Sequence, residues 1–228
     1  MFQGFTKETS DFFWELMFNN ERPWFLEHKE QFEQLVNRPF RALAAQTLQQ
    51  LSDRNPELDF NMHISRIYRD ARRLFGRGPY KDHLWFSIGY GDDWRSGPMF
   101  WFEIGAADYS YGVGFFDATA ADMEAFRRSI DANPARFERI AAEVEKLKGG
   151  RLFGEEYKRP KGDKGELLNK WYNRRRLGLE FSHDFGEELY SSDLSMKLVR
   201  CYEKLMPLYD YFMQCHIAAA ESGEEGKK

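Results

Sequence analysis

The hydrophobic period of this chain changes near residue 84, and that change limits the folds open to it. Residues 84–90 (LWFSIGY), 99–105 (MFWFEIG) and 109–116 (YSYGVGFF) are short runs of aromatic and β-branched residues. The connections between them, GDDWRSGP and AAD, are short enough for an antiparallel meander. Residues 63–68 are expected to add a strand before it. The preceding chain reads as helical: Phe12, Phe13, Leu16 and Met17 fall at helical spacing behind Thr9 or Ser10 as a cap. A second helix is expected over 22–36, with Pro23 in its first turn. A third opens at Pro39, carries Phe40, Leu43, Ala44, Thr47, Leu48 and Leu51, and ends near Asn55-Pro56. After the strands the period returns to helix. Thr119 caps 120–130, and Asn133-Pro134 starts a helix that Gly149-Gly150 ends. A short helix over 164–171, a strand over 174–181 and a long helix from Ser192 or Asp193, interrupted by Pro207, complete the pattern. This predicts one α+β domain over 1–218, with an antiparallel sheet of about five strands packed by the N-terminal and C-terminal helices. Residues 219–228, which include ESGEEGKK, are too polar to pack and are expected to be disordered.

At 228 residues the chain can bury a core without disulfides or metals, and a 17% aromatic content says that core is built from rings. No apolar run approaches the roughly 20 residues of a membrane helix, and the first residues lack the pattern of a secretory signal. A cytoplasmic protein that does not enter a membrane is expected. Cys201 and Cys215 lie fourteen residues apart on one expected helix. That spacing is about 20 Å, too far for a disulfide within the chain, so they are read as buried thiols.

Charge is distributed unevenly. The formal net charge is −4, yet residues 62–83 carry +4 and residues 151–176 carry +5. The first segment holds Arg66, Arg69, Arg72, Arg73, Arg77 and Lys81 against Asp70 and Asp82; the second includes Lys158, Arg159, Lys161, Lys164 and Lys170. A planar guanidinium fits phosphate or carboxylate in a bidentate fork and stays charged at every relevant pH. On a straight strand Arg66 and Tyr68 share a face and Arg69 points away, so the Gly76–Gly78–Pro79 turn must fold part of the cluster back. The plain structural alternative is that Arg66 and Arg69 pair inside the fold with Asp70, Glu103 or Asp108.

The residues Asn19-Asn20, Trp24-Phe25, Lys29, Arg66-Ile67, Arg69-Asp70, Arg72 and Pro79-Tyr80-Lys81 together resemble domain-of-unknown-function family 2461, a group of uncharacterised bacterial and fungal proteins. The similarity continues through 112–115, Pro160-Lys161-Gly162 and Pro207-Leu208. It implies an α+β fold and brings no activity. Where the family has an aromatic-serine pair followed by Lys-Asp-Lys, this chain has Arg73, Leu74, Phe75, Gly76 and Arg77, so an acidic position has become Gly76.

Three functions remain open. The first is a pocket for a small anionic, phosphate-containing ligand, made by Arg66, Arg69, Arg72 and Lys81 with Lys161 and Lys170. The second is an interaction module that docks an acidic partner or single-stranded nucleic acid on its basic face, with Trp171 and Tyr172 either stacking on bases or anchoring the core. A whole-chain pI of about 5.8 weighs against a dedicated nucleic-acid binder. The third is an enzyme acting on a phosphorylated substrate, with His63 or His83 moving a proton. No dinucleotide, P-loop, HExxH, CxxC or GxSxG motif occurs, and the five histidines show no ligand spacing, so neither a metal nor a cofactor is expected.

Overall fold

The computed structural model describes residues 1–70, 72, 74, 76–91 and 95–225; Ala71, Arg73, Phe75, 92–94 and 226–228 lie outside it. Helices α1 (Lys7–Phe18), α2 (Arg22–Glu27), α3 (Lys29–Phe32) and α4 (Arg38–Arg54) open the chain. Strands β1 (Phe60–Ile64), β2 (His83–Tyr90), β3 (Met99–Gly105) and β4 (Asp108–Phe115) follow. Then come α5 (Ala120–Ala132), α6 (Pro134–Glu145), β5 (Gly150–Phe153), α7 (Glu166–Tyr172), β6 (Leu177–Asp184) and α8 (Leu194–Glu225). The six strands form one antiparallel sheet in the order β1-β2-β3-β4-β6-β5. The fold is α+β, as the change of period requires.

Several boundaries differ from the sequence reading for identifiable reasons. Thr6, not Thr9 or Ser10, precedes α1, and its backbone N–H donates to Thr9 Oγ1 at 3.3 Å. Thr9 and Ser10 are buried and donate instead to the carbonyls of Leu35 and Ala106, each at 2.8 Å. The expected 22–36 helix breaks at His28, and a π-helical turn over Glu33–Asn37 carries the chain straight into α4. Wider i→i+5 bonding there accommodates Pro39, which lacks an N–H, so the proline does not end the helical path. The strand expected over 63–68 lies earlier, at Phe60–Ile64. Strand β5 was hidden because Gly149-Gly150 reads only as a helix stop; its four residues pair with β6 from Gly150↔Phe181 to Phe153↔Gly178. Finally, α8 continues to Glu225, so 219–225 are helical rather than disordered. Ala219 is buried, and the Ser222 hydroxyl donates to the Ala218 carbonyl, both of which favour extending the helix.

The chain divides into two compact units: 1–88, 101–111 and 182–200 form the first, and 89–100, 112–181 and 201–228 the second. In the first, Phe13, Leu16, Val36, Phe40, Leu43, Phe86 and Phe102 are fully buried. Phe40, Phe86 and Phe102 meet ring on ring at 5.5–6.2 Å. In the second, Phe126, Phe137, Trp171, Tyr202, Tyr209 and Phe212 form the core. Each such side chain contributes about 1.5–3 kcal/mol by leaving water. Cys201 and Cys215 form no disulfide, and burial pushes the Cys215 thiol up to about 12, so it behaves as a small apolar residue. Among the described residues no helix is long and apolar enough to cross a membrane.

The first unit also holds a polar cluster with a pH consequence. His183 stacks against Tyr109 and Tyr111, with centroids 5.2 and 5.4 Å away, and its Nε2 lies 3.2 Å from the Tyr111 hydroxyl. Tyr109 donates to Glu188 at 2.6 Å, and Glu188 also pairs with Lys197. Burial, together with the charge of Lys197, holds the His183 pKa below its ordinary 6.5 against the opposing pull of Glu188 and Asp184. The folded state therefore binds this proton less readily than the unfolded chain, so stability falls as pH drops through and below about 6.5. Urea midpoints measured at pH 7.5 and 5.5 should separate more for the wild type than for His183→Gln. Equal separation would exclude His183 as the source.

Candidate functional site

Between β1 and β2 the chain forms an irregular antiparallel ribbon that displays the first cationic segment. The Ser65 N–H donates to the Trp85 carbonyl at 2.8 Å, and the Trp85 N–H donates to Ser65 Oγ at 2.9 Å. Farther along, the Lys81 N–H donates to the Ile67 carbonyl at 2.7 Å and the Arg69 N–H to the Pro79 carbonyl at 2.8 Å. Tyr68 and Tyr80 face each other as an isolated bridge. Ile67 and Tyr80 are buried, Tyr80 stacked on Phe25 at 4.1 Å, while Arg66 and Tyr68 turn outward.

Asn20, in the turn between α1 and α2, fixes this ribbon. Its Nδ2 donates to the Tyr80 carbonyl at 3.0 Å and its Oδ1 accepts the Tyr80 N–H at 2.9 Å. One side-chain amide thus satisfies both backbone groups of a buried residue, as a neighbouring strand would. Gly78 makes room for it, since a Cβ there would sit 2.3 Å from the Asn20 amide. From the sequence Asn19-Asn20 read only as a turn; the resemblance at Asn20 and at Pro79-Tyr80-Lys81 was the available signal that the two places work together.

The ribbon walls a cleft of about 660 Å³. Among the described residues, Arg66, Arg69, Arg72, Arg77 and Lys81 supply five cations to its lining, and Asp70 is the single carboxylate there. His63, Tyr68 and Trp85 add rings, with His63 and Trp85 5.2 Å apart. The arginines differ in role. Arg69 is mostly sheltered: its Nε donates to the Tyr80 carbonyl at 2.8 Å, and its Nη2 reaches Asp82 at 3.4 Å. Asp82 also meets His83 Nδ1 at 2.9 Å. Burial raises the Asp82 pKa, but the His83 hydrogen bond and the nearby charges outweigh it and hold the carboxyl below its usual range. Arg72 grips Asp70 with two bonds, at 3.1 and 2.9 Å, yet its side chain is 88% exposed. Such a pair adds little stability and opens readily toward a stronger anion.

Arg66 and Arg77 are exposed and make no ion pair among the described residues. Gly76 lies at φ 79°, in the left-handed region, and allows the turn that presents Arg77. Lys81 is half-buried, and burial, followed by the charges of Arg69 and Arg66, lowers its pKa against a smaller pull from Glu103. The pairing expected for the arginines is corrected in detail. Arg69 does pair inward, but with Asp82; Asp70 takes Arg72 instead, and Arg66 is exposed.

The second cationic segment lies in the second unit and is largely neutralised. Lys170 holds Glu145 at 2.8 Å, Lys164 holds Asp131 at 2.7 Å, and Arg174 reaches Glu156 at 3.2 Å. Arg175 and Arg176 share Glu155, each at 3.6 Å. Lys161 lies over the Tyr157 ring at 4.7 Å, in a shallow depression that also contains Glu155 and Glu156. Trp171 and Tyr172 are buried core anchors, so neither ring is placed to stack on a base. Of the six candidate ligand residues, Arg66, Arg69, Arg72 and Lys81 share one cleft in the first unit, whereas Lys161 and Lys170 belong to the second unit.

No curated protein matches the chain. The model of the conserved hypothetical protein family DUF2461 matches residues 8–211, a span that includes the Asn20 clamp and every residue of the cationic cleft, and the chain belongs to that family.

Proposed function

We propose that this protein binds a small phosphate-containing anion in the cleft formed by Arg66, Arg69, Arg72, Arg77 and Lys81. The observation that carries this reading is that, among the described residues, five cations face one cleft with a single carboxylate among them. A protein with a net charge of −4 has no evident structural use for Arg66 and Arg77 gathered there. Arg69 is held rigid by Tyr80 and Asp82, Arg72 is available on release of Asp70, and Lys81 supplies a partly desolvated point charge. Tyr68, 52% exposed, offers the ligand's organic part a ring at the cleft wall.

In thermal-shift and calorimetric titrations at low salt, inorganic phosphate, pyrophosphate and mononucleotides should include at least one ligand that raises Tm, by mass action on the folded state. Arg66→Ala and Lys81→Met should each weaken its binding about 10- to 100-fold, the scale of one charge-assisted contact. Affinity should also fall with rising pH below 10.5, because the lowered Lys81 pKa brings its loss of charge into that range. No stabilisation by any anion of the panel would overturn the reading. A second reading, turnover of the phosphorylated ligand, draws on the presence of His63 in the same cleft. If it is right, His63→Ala should keep ligand affinity and lose hydrolysis of p-nitrophenyl phosphate.

A further inference from the structure

A serine, a histidine and an aspartate that belong to no sequence motif stand in line within the second unit. Asp122 is in the first turn of α5, His216 is on α8, and Ser96 is in the loop between β2 and β3. His216 Nδ1 lies 2.8 Å from Asp122 Oδ1, and His216 Nε2 lies 3.4 Å from Ser96 Oγ. Exposure rises along the line: 3% for the aspartate side chain and 12% for the imidazole, with an exposed serine at the end.

The other carboxylate oxygen of Asp122 accepts both the Thr119 N–H at 2.7 Å and the Thr119 hydroxyl at 2.6 Å. Helix capping therefore fixes the carboxylate, and its remaining oxygen is directed at the imidazole. Phe115 packs against the His216 ring edge to face, 5.5 Å away, which limits its rotation. An ionised aspartate in this position selects the tautomer with the proton on Nδ1. That leaves the Nε2 lone pair facing the serine hydroxyl. The 3.4 Å spacing is the looser geometry usual for a nucleophile and its base before a substrate tightens the pair.

We infer that Ser96, His216 and Asp122 form a nucleophilic triad able to cleave a carboxylic ester. Ser96 Oγ attacks the acyl carbon while its proton passes to His216 Nε2; the carbon–oxygen bond to the leaving group breaks, and that alkoxide takes the proton from Nε2. Water then attacks the acyl-serine, again giving a proton to Nε2, which returns it to Ser96 Oγ as the carboxylic acid leaves. Asp122 is a positioning residue, orienting the imidazole and stabilising its cationic form. This activity is independent of the cationic cleft, whose residues all belong to the first unit.

The test uses the full chain, a fluorophosphonate probe and p-nitrophenyl acetate. The serine oxygen displaces fluoride from phosphorus, leaving a covalent adduct that intact-mass spectrometry and peptide mapping locate. The wild type should form one stoichiometric adduct at Ser96. Ser96→Ala, on an exposed loop, should fold normally and lose the adduct. His216→Gln should slow labelling and esterolysis by about 10²- to 10⁴-fold. Asp122→Asn should slow both and abolish the far-downfield imidazole N–H proton resonance of the wild type. A merely structural role for Asp122 would leave the labelling rate of the folded fraction unchanged. The inference is overturned if no adduct forms on Ser96, or if labelling proceeds at the same rate in folded His216→Gln.

Discussion

Asn20→Ala is expected to destabilise the protein by about 1–3 kcal/mol, since it strips the Tyr80 N–H of its partner and leaves the Tyr80 carbonyl with Arg69 Nε alone. Tyr80 is only 2% exposed, so water does not readily replace the lost amide. An unsatisfied buried group costs about 1–3 kcal/mol, and here the N–H is the group left unsatisfied. For a chain of this size that corresponds to a fall in Tm of roughly 2–12 °C. Gly78→Ala should reproduce much of the effect from the other side, because its Cβ would expel the Asn20 amide. The pair should be strongly non-additive, since either substitution alone removes the same two hydrogen bonds. Anion binding should fail along with stability, because Arg69 and Lys81 both hang on the backbone flanking Tyr80. Urea unfolding of the two single variants and the double variant settles the matter. Additive losses would mean that Asn20 and Gly78 act separately.

The second large effect is expected at Gly154, which follows β5 with φ 108°, where L side chains are strained. A Cβ there would approach the Arg176 carbonyl oxygen to 1.9 Å. That neighbour is backbone, held beside the paired β5 and β6, so it cannot swing aside as a side chain could. Arg174 Nη1 also donates to the Gly154 carbonyl at 2.5 Å, fixing the residue from a second direction. Gly154→Ala should therefore cost more than about 3 kcal/mol, combining the strain of the left-handed region with overpacking. Gly149→Ala makes an informative control. Its φ of 85° is comparably unfavourable, but nothing lies within 4 Å of its Cβ position. Equal losses of Tm in the two variants would assign the whole cost to φ and none to the clash.

The sequence exposed what depends on period and composition, and concealed what depends on distant pairing. The aromatic runs from 84 to 116 marked three strands because alternation is written locally, and the antiparallel α+β class followed from them. Strand β5 escaped notice because Gly-Arg-Leu-Phe has no alternation of its own and exists by pairing with β6. The same division holds for the cleft. Six cations within twenty-two residues are visible on a page, and four of the named ligand candidates do share one surface. Whether a given cation is spent on a neighbour was not legible. Lys170 and Lys161 looked equivalent in sequence, yet only the fold shows Lys170 held by Glu145. His216 and Asp122 are ninety-four positions apart, a separation that no spacing rule joins.

The brevity of β5 has a consequence for life at high concentration. It is a terminal strand of the sheet, pairs along four residues, and is bracketed by Gly149 and Gly154, both with left-handed φ. A strand stopped so abruptly at both ends presents few unpaired amides and carbonyls, and Arg151 places a charge in the middle of them. A second molecule seeking to add its own strand would find a landing too short to hold it and would have to bury that charge nearby. The two glycines that make the turns thus also serve as guards against fibre-like self-association.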